Sequence, residues 1–243
     1  MAIVINRDKC TGCEVCLLYC PVEAIRMEGE VAVVDPSRCV DCYVCVRNNV
    51  CPKDAMERGP LDRFIDRFGH ILCDPSETFV ETETPGRGTE EAKTNDVTGR
   101  FKRGEAGIAI DMGRPGVGCY LRDVEKVAMA IVKAGVVLEG RSTTPLAGLA
   151  EDLSTGKLRD EFLDKFVLSI IIEGKCKVED LPLVLQALQE VSGEVDTVFS
   201  VGLVLRVDGN RPNPELEVLD AVGIPRPFRG KVNVGLGRPL VLD

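Results

Sequence analysis

A chain of 243 residues with a formal charge of −9 and no extended basic run lacks the stripe that displaces counterions from nucleic acid. Its apolar runs, such as Phe166 to Ile172, are too short to cross a bilayer. Met1 to Cys10 carries charges and a cysteine where a secretory signal has an apolar core, which places the chain in the cytoplasm.

The length suffices for a sizeable core and for more than one domain. Residues 1–60 are dense in cysteine, with short strand-like pieces at Ala2 to Ile5 and Val31 to Val34. Eight of the 11 cysteines fall between Cys10 and Cys51, and a reducing compartment turns such a cluster toward metal instead of disulfides. Cys10-x2-Cys13-x2-Cys16-x3-Cys20-Pro21 sets three thiolates at three-residue steps, able to wrap three corners of a cubane, with the fourth held away by the turn. A second copy runs Cys39-x2-Cys42-x2-Cys45-x5-Cys51-Pro52. Structural zinc is the competing reading, but zinc draws on paired Cys-x2-Cys knuckles and not on triple runs closed by Cys-Pro.

On these motifs residues 1–60 resemble the bacterial two-[4Fe–4S] ferredoxins. The resemblance implies two [4Fe–4S] clusters, one held by Cys10, Cys13, Cys16 and Cys51, the other by Cys39, Cys42, Cys45 and Cys20. The second copy departs from the pattern with five residues, Val46 to Val50, before its last cysteine. That changes the loop beside the first cluster and leaves the cluster count standing.

Residues 61–100 read as a connector, since from Asp74 to Arg100 the only apolar residues are Phe79, Val80, Ala92 and Val97. His70 is the only histidine, which excludes triads and metal sites that need several. Lys102 and Arg103, with Arg100, make a small basic spot.

Residues 101–208 show two strand–helix alternations. Gly107 to Met112 is a strand ending in the turn Gly113-Arg-Pro-Gly-Val-Gly118. A helix with Val124, Val127, Ala128 and Ile131 on one face follows and stops near Gly135, and Val136 to Glu139 is a strand. Phe166 to Glu173 is a buried strand, Asp180 caps a helix carrying Leu181, Val184, Leu185 and Leu188, and Phe199 to Val207 alternates as a last strand. The order βαββαβ predicts a ferredoxin-like sandwich, an antiparallel four-stranded sheet under two helices. The fold class is therefore α+β: a dicluster domain, the sandwich, and a Pro/Gly-rich extended tail over residues 209–243.

The segment from Asp111 through the turn and helix to Val137 resembles the opening of ACT-type regulatory domains. Such domains bind amino acids at this turn, often at a dimer interface, so the resemblance implies a ligand or anion site at Arg114, Gly116 and Gly118 and a homo-oligomer formed through this domain. The simpler role of the turn is conformational. Cys73, Cys119 and Cys176 are small buried hydrophobes in their default role, Cys119 standing at a helix start where a thiolate is stabilised.

No catalytic residue set appears. The sequence favours an electron-relay subunit whose partner is a catalytic oxidoreductase subunit or another redox protein. Two other readings compete with it: a ligand sensor whose clusters report redox state, and a sulfur-handling enzyme using Cys119.

Overall fold

A computed structural model describes residues 3–74, 76–80, 100–114, 117–205 and 217–224. The cysteine-rich segment is built from β1 (Ile3–Ile5), α1 (Val15–Tyr19), β2 (Ile25–Glu28), β3 (Val31–Val34), α2 (Val44–Arg47) and β4 (Met56–Arg58). β1 pairs with β4 and β2 with β3, both antiparallel. The sequence repeat is also a backbone repeat. Gly12 and Asp41, Glu14 and Tyr43, and Glu23 and Asp54 occupy equivalent places in the two copies, and all six have positive φ. The two residues added before Cys51 form a turn after α2, with Asn49 at φ 49°, that drops Val50 into contact with the core around Cys16.

Next comes α3 (Phe64–Cys73), inside the stretch expected to be a connector. The expectation is corrected here, because Ile65, Phe68 and Leu72 are buried and belong to the main core. Residues 81–99 of that stretch lie outside the described residues. α3 works on two sides. Asp66, Gly69, His70 and Cys73 face the second cysteine loop, through Lys165, Asp41 and the small apolar cluster containing Val40 and Cys42. Phe64, Arg67, Phe68 and Ile71 face a cavity on the other side.

The remaining chain runs β5 (Glu105–Met112), β6 (Cys119–Tyr120), α4 (Leu121–Lys133), β7 (Val137–Leu138), a 3-10 turn at Pro145–Gly148, β8 (Ala150–Asp152), β9 (Lys157–Leu158), β10 (Phe166–Val167), β11 (Ile170–Lys177), α5 (Leu181–Ser192), β12 (Phe199–Leu205) and α6 (Glu217–Ala221). One sheet has the order β12-β5-β11-β7 with every neighbouring pair antiparallel. Ile108, Ile110 and Met112 of β5 and Ile170 and Ile172 of β11 share a core with Leu121, Val124, Val127 and Ile131 of α4 and Leu181, Val184, Leu185 and Leu188 of α5. Alternate strand residues and helix positions three and four apart bring these side chains to one layer.

Two sequence expectations are adjusted. The apolar run from Phe166 is two strands: Phe166–Val167 pairs with β6, and the sheet strand begins at Ile170 and continues to Lys177. The Phe166 ring packs edge-on to Tyr120 at 5.1 Å and fills the space over Gly118, which pulls this end of the run off the sheet. Asp180 stands before α5 but makes no side-chain cap bond. Of the tail expected over residues 209–243, residues 217–224 are described; there α6 packs Leu219 into the main core.

The cysteine-rich segment is joined to the sheet layer by a buried ion pair. Lys165 Nζ stands 2.7 Å from Asp41 Oδ2 and 3.9 Å from Asp66 Oδ1, with both carboxylates almost fully buried. Beside it Phe166 and Leu168 pack against Val22, Ala24, Val40 and Cys42. Removing one member of a buried pair strands the other charge, so Lys165→Ala is expected to destabilise the protein by about 3 kcal/mol, measured as a lower urea midpoint. Lys165→Arg should lose much less.

Candidate metal centres

Two cavities open within the cysteine-rich segment. The first is lined by Cys10, Cys13, Cys16 and Cys51, with Thr11, Gly12, Ala32 and Ala55 among its walls. The second is lined by Cys20, Cys39, Cys42 and Cys45, with Val22, Ala24, Val40 and Tyr43. Each therefore gathers three cysteines from one motif and the last cysteine of the other. Among the described residues no three His, Cys, Asp or Glu side chains converge tightly enough for a single metal ion. Sulfurs spread around a cavity match a polynuclear cluster, whereas tetrahedral zinc draws its ligands to ~2.3 Å from one point.

The backbone is shaped to serve sulfur. The N–H of Ala24 donates to Cys20 Sγ at 3.1 Å, and at the equivalent place in the repeat Ala55 N–H donates to Cys51 Sγ at 3.3 Å. Ala32 N–H donates to Cys10 Sγ at 3.4 Å. Among the described residues the six non-glycine residues at positive φ all lie between Glu14 and Asp54. Left-handed backbone at such residues costs energy and collects at functional sites, and here it bends the loops around the cavities. At Gly12, with φ +67°, a Cβ would come within 2.6 Å of the Glu30 carbonyl oxygen.

The two cradles differ in surroundings. In the first, Cys13 is exposed, and the backbone N–H groups of Ala32 and Gly12 hold the Cys10 thiol below its ordinary value, although burial raises Cys16. In the second, burial pushes the Cys39 thiol up to about 12, with the Asp41 carboxylate adding to the rise, and pushes Cys45 up to about 11. Burial raises Cys42 as well. Thiols held protonated this way must release protons to bind iron, and the positive metal makes that release favourable. The donor set, the cavities and the N–H groups aimed at sulfur all fit [4Fe–4S] clusters.

A shell of charge and aromatic rings surrounds the second cradle. His70 Nδ1–H donates to the Asp41 carbonyl at 2.7 Å, which fixes the tautomer, and its ring lies 4.3 Å from that of Tyr43. Arg63 grips Asp66 with two bonds of 2.7 and 2.8 Å. Burial works to raise the Asp66 carboxyl, but Arg63 and Lys165 more than offset it and hold it below the carboxylate range. Arg47 pairs with the buried Asp74 at the end of α3. The sequence reading missed this shell. Asp41, Tyr43 and Arg47, lying inside the second motif, carried the signal that could have found it.

Of the other candidates, Arg114 is exposed and Gly116 lies outside the described residues. Gly118 is required by packing, since a Cβ there would meet the Phe166 ring at 2.4 Å. Cys119 sits in β6, fully buried, and burial pushes its thiol up to about 12, which overturns the expected stabilised thiolate. Cys73 is pushed to about 12 and Cys176 to about 11 for the same reason.

Fold and site together define an iron–sulfur protein with two [4Fe–4S] centres in one small domain. The comparisons agree: residues 2–52 match the family model "4Fe-4S dicluster domain". The chain is similar to the pyruvate synthase subunit PorD of Thermotoga maritima, 37% identical over 70 residues that make up 28% of this chain and 69% of that protein. It is similar to a ferredoxin of Methanothermococcus thermolithotrophicus, 40% identical over 58 residues, 23% of this chain and 93% of that one. A third relative is the delta subunit of NADH-dependent phenylglyoxylate dehydrogenase of Aromatoleum evansii, 38% identical over 53 residues, 22% of this chain and 55% of that subunit. Through its N-terminal segment the chain belongs to the dicluster [4Fe–4S] ferredoxin family. No solved structure matches it. Among the described residues no helix is long and apolar enough to cross a membrane.

The Gly12 geometry yields a test. Gly12→Val is expected to lower iron from roughly eight to about four atoms per chain, because only the first cradle is distorted. Iron quantification after anaerobic reconstitution checks this, and undiminished iron would contradict it.

Proposed function

We propose that the chain is a dedicated electron-relay subunit of a larger oxidoreductase. The observation that carries this reading is the pair of adjoining four-cysteine cavities, each combining cysteines of both motifs. In this reading Cys10, Cys13, Cys16 and Cys51 hold one cluster, and Cys20, Cys39, Cys42 and Cys45 hold the other. The clusters supply reversible one-electron chemistry when bound. The protein sets its terms: N–H groups donated to Cys20, Cys51 and Cys10 favour the reduced, more negative state, and the Asp41 carboxylate opposes it beside Cys39 until Lys165 compensates.

The relay has a direction in space. The first cradle is the open end, with Cys13 exposed and Leu18 87% exposed on the adjoining helix. The second is covered by Lys165, Phe166 and Leu168. Electrons enter or leave through the first cradle, where a donor or acceptor approaches.

Downstream, the βαββαβ order within the antiparallel sheet supports a ferredoxin-like sandwich over residues 101–208, following the dicluster domain of residues 1–60. Its role here is to dock the dicluster domain on the catalytic partner in the cytoplasm. Subunits named for pyruvate synthase and for phenylglyoxylate dehydrogenase are the kind of assembly in view.

Double variants test the shared ligation. Cys20→Ser with Cys39→Ala is expected to lose no more iron than either change alone, about four atoms per chain, whereas Cys20→Ser with Cys13→Ala loses both clusters. Equal losses in both pairs would refute the exchange. Anaerobic purification of the tagged chain from its source organism tests the relay. A co-purifying catalytic oxidoreductase subunit, which reduces or oxidises the clusters on adding substrate, is the expected result. A chain recovered alone, with clusters that do not respond to dithionite, would overturn it.

A further inference from the structure

On the side of α3 away from the second cradle lies a cavity of about 310 Å³ whose features belong to neither cluster. That volume is at the lower end of the ~300–1,000 Å³ of small-molecule sites. Phe64, Phe68 and Phe79 form an aromatic wall, with the Phe68 ring 5.8 Å from Phe64 and 5.0 Å from Phe79. Phe64 remains 43% exposed. Three polar groups interrupt this apolar lining. Arg67 and Arg141 reach it from α3 and from the loop before the 3-10 turn, and among the described residues neither guanidinium has an ion pair or hydrogen bond. Thr144 is 1% exposed, and its buried hydroxyl has no hydrogen-bond partner.

Among the described residues the lining of this apolar cavity carries two exposed arginines and no carboxylate, which makes it a positive site. The guanidinium fork suits a planar carboxylate. We infer that this cavity binds a small organic carboxylate with an aromatic or branched aliphatic body, its acid group held by Arg67 and Arg141 and its uncharged part against the phenylalanines. The site shares α3 with the second cradle but none of its cysteines, and so stands apart from the relay reading.

Calorimetric titration of the full, cluster-loaded chain with phenylacetate, benzoate and isovalerate tests this. At least one acid is expected to bind saturably with a Kd below about 1 mM, its neutral amide at least about tenfold more weakly. Arg141→Gln and Arg67→Gln should each weaken the acid about fivefold or more. Cluster absorbance and the thermal midpoint serve as folding controls. No saturable binding of any acid, equal binding of acid and amide, competition by inorganic phosphate at the same concentration as the acids, or unchanged affinity in both arginine variants would each overturn the inference.

Discussion

Wrapping polypeptide tightly around sulfur leaves it little apolar material with which to hold itself together. The cysteine-rich segment has three small buried clusters, the largest with four buried residues each, and cysteines are members of two of them. Its strands are three or four residues long and pair only in twos. Pairs of that size are marginal in water. Metal–thiolate bonding must therefore contribute folding energy, as in other small domains built around metal. The left-handed residues make the same point, since a loop strained at six side-chain-bearing positions needs a strong central attraction to stay closed.

The rest of the support comes from outside the segment. Lys165, Phe166 and Leu168 lie just before β11 and close over the second cradle, so the larger core braces the smaller one. The consequence is electrostatic as well as mechanical. A carboxylate next to Cys39 makes added negative charge costly, and a lysine 2.7 Å from that carboxylate offsets it. Among the described residues the first cradle has no such brace, and it keeps an exposed cysteine. Two cradles built from one repeated motif thus meet different surroundings, and burial and neighbouring charge are among the levers that set a cluster's potential.

Much of this was legible in the chain, and the failures have physical causes. Cysteine spacing is local, and a loop that wraps a cubane leaves its signature within a dozen residues. Helix periodicity is local too, and α4 and α5 follow it. α3 also had a pattern, Ile65, Phe68 and Leu72, but the polar residues after it drew the whole stretch into a connector. The run from Phe166 to Ile172 is apolar except for Ser169, which stands where the chain leaves one pairing for another, and a single buried serine is a weak mark of such a break. The Lys165–Asp41 pair spans 124 residues and has no sequence signal at all. Cys119 misled because its neighbourhood in sequence suggested a helix start, whereas its depth in the core decides its chemistry. Contacts set by tertiary packing stayed invisible, and those set by the chain's own period did not.

Coulometric reductive titration of anaerobically prepared protein, with iron and sulfide counted on the same sample, addresses the central claim most directly. Two [4Fe–4S] centres require roughly eight irons, as many sulfides, and about two electrons taken up per chain, with paramagnetic signals from two centres near enough to interact. Zinc in place of iron, or a single electron accepted by about four irons, would contradict the account.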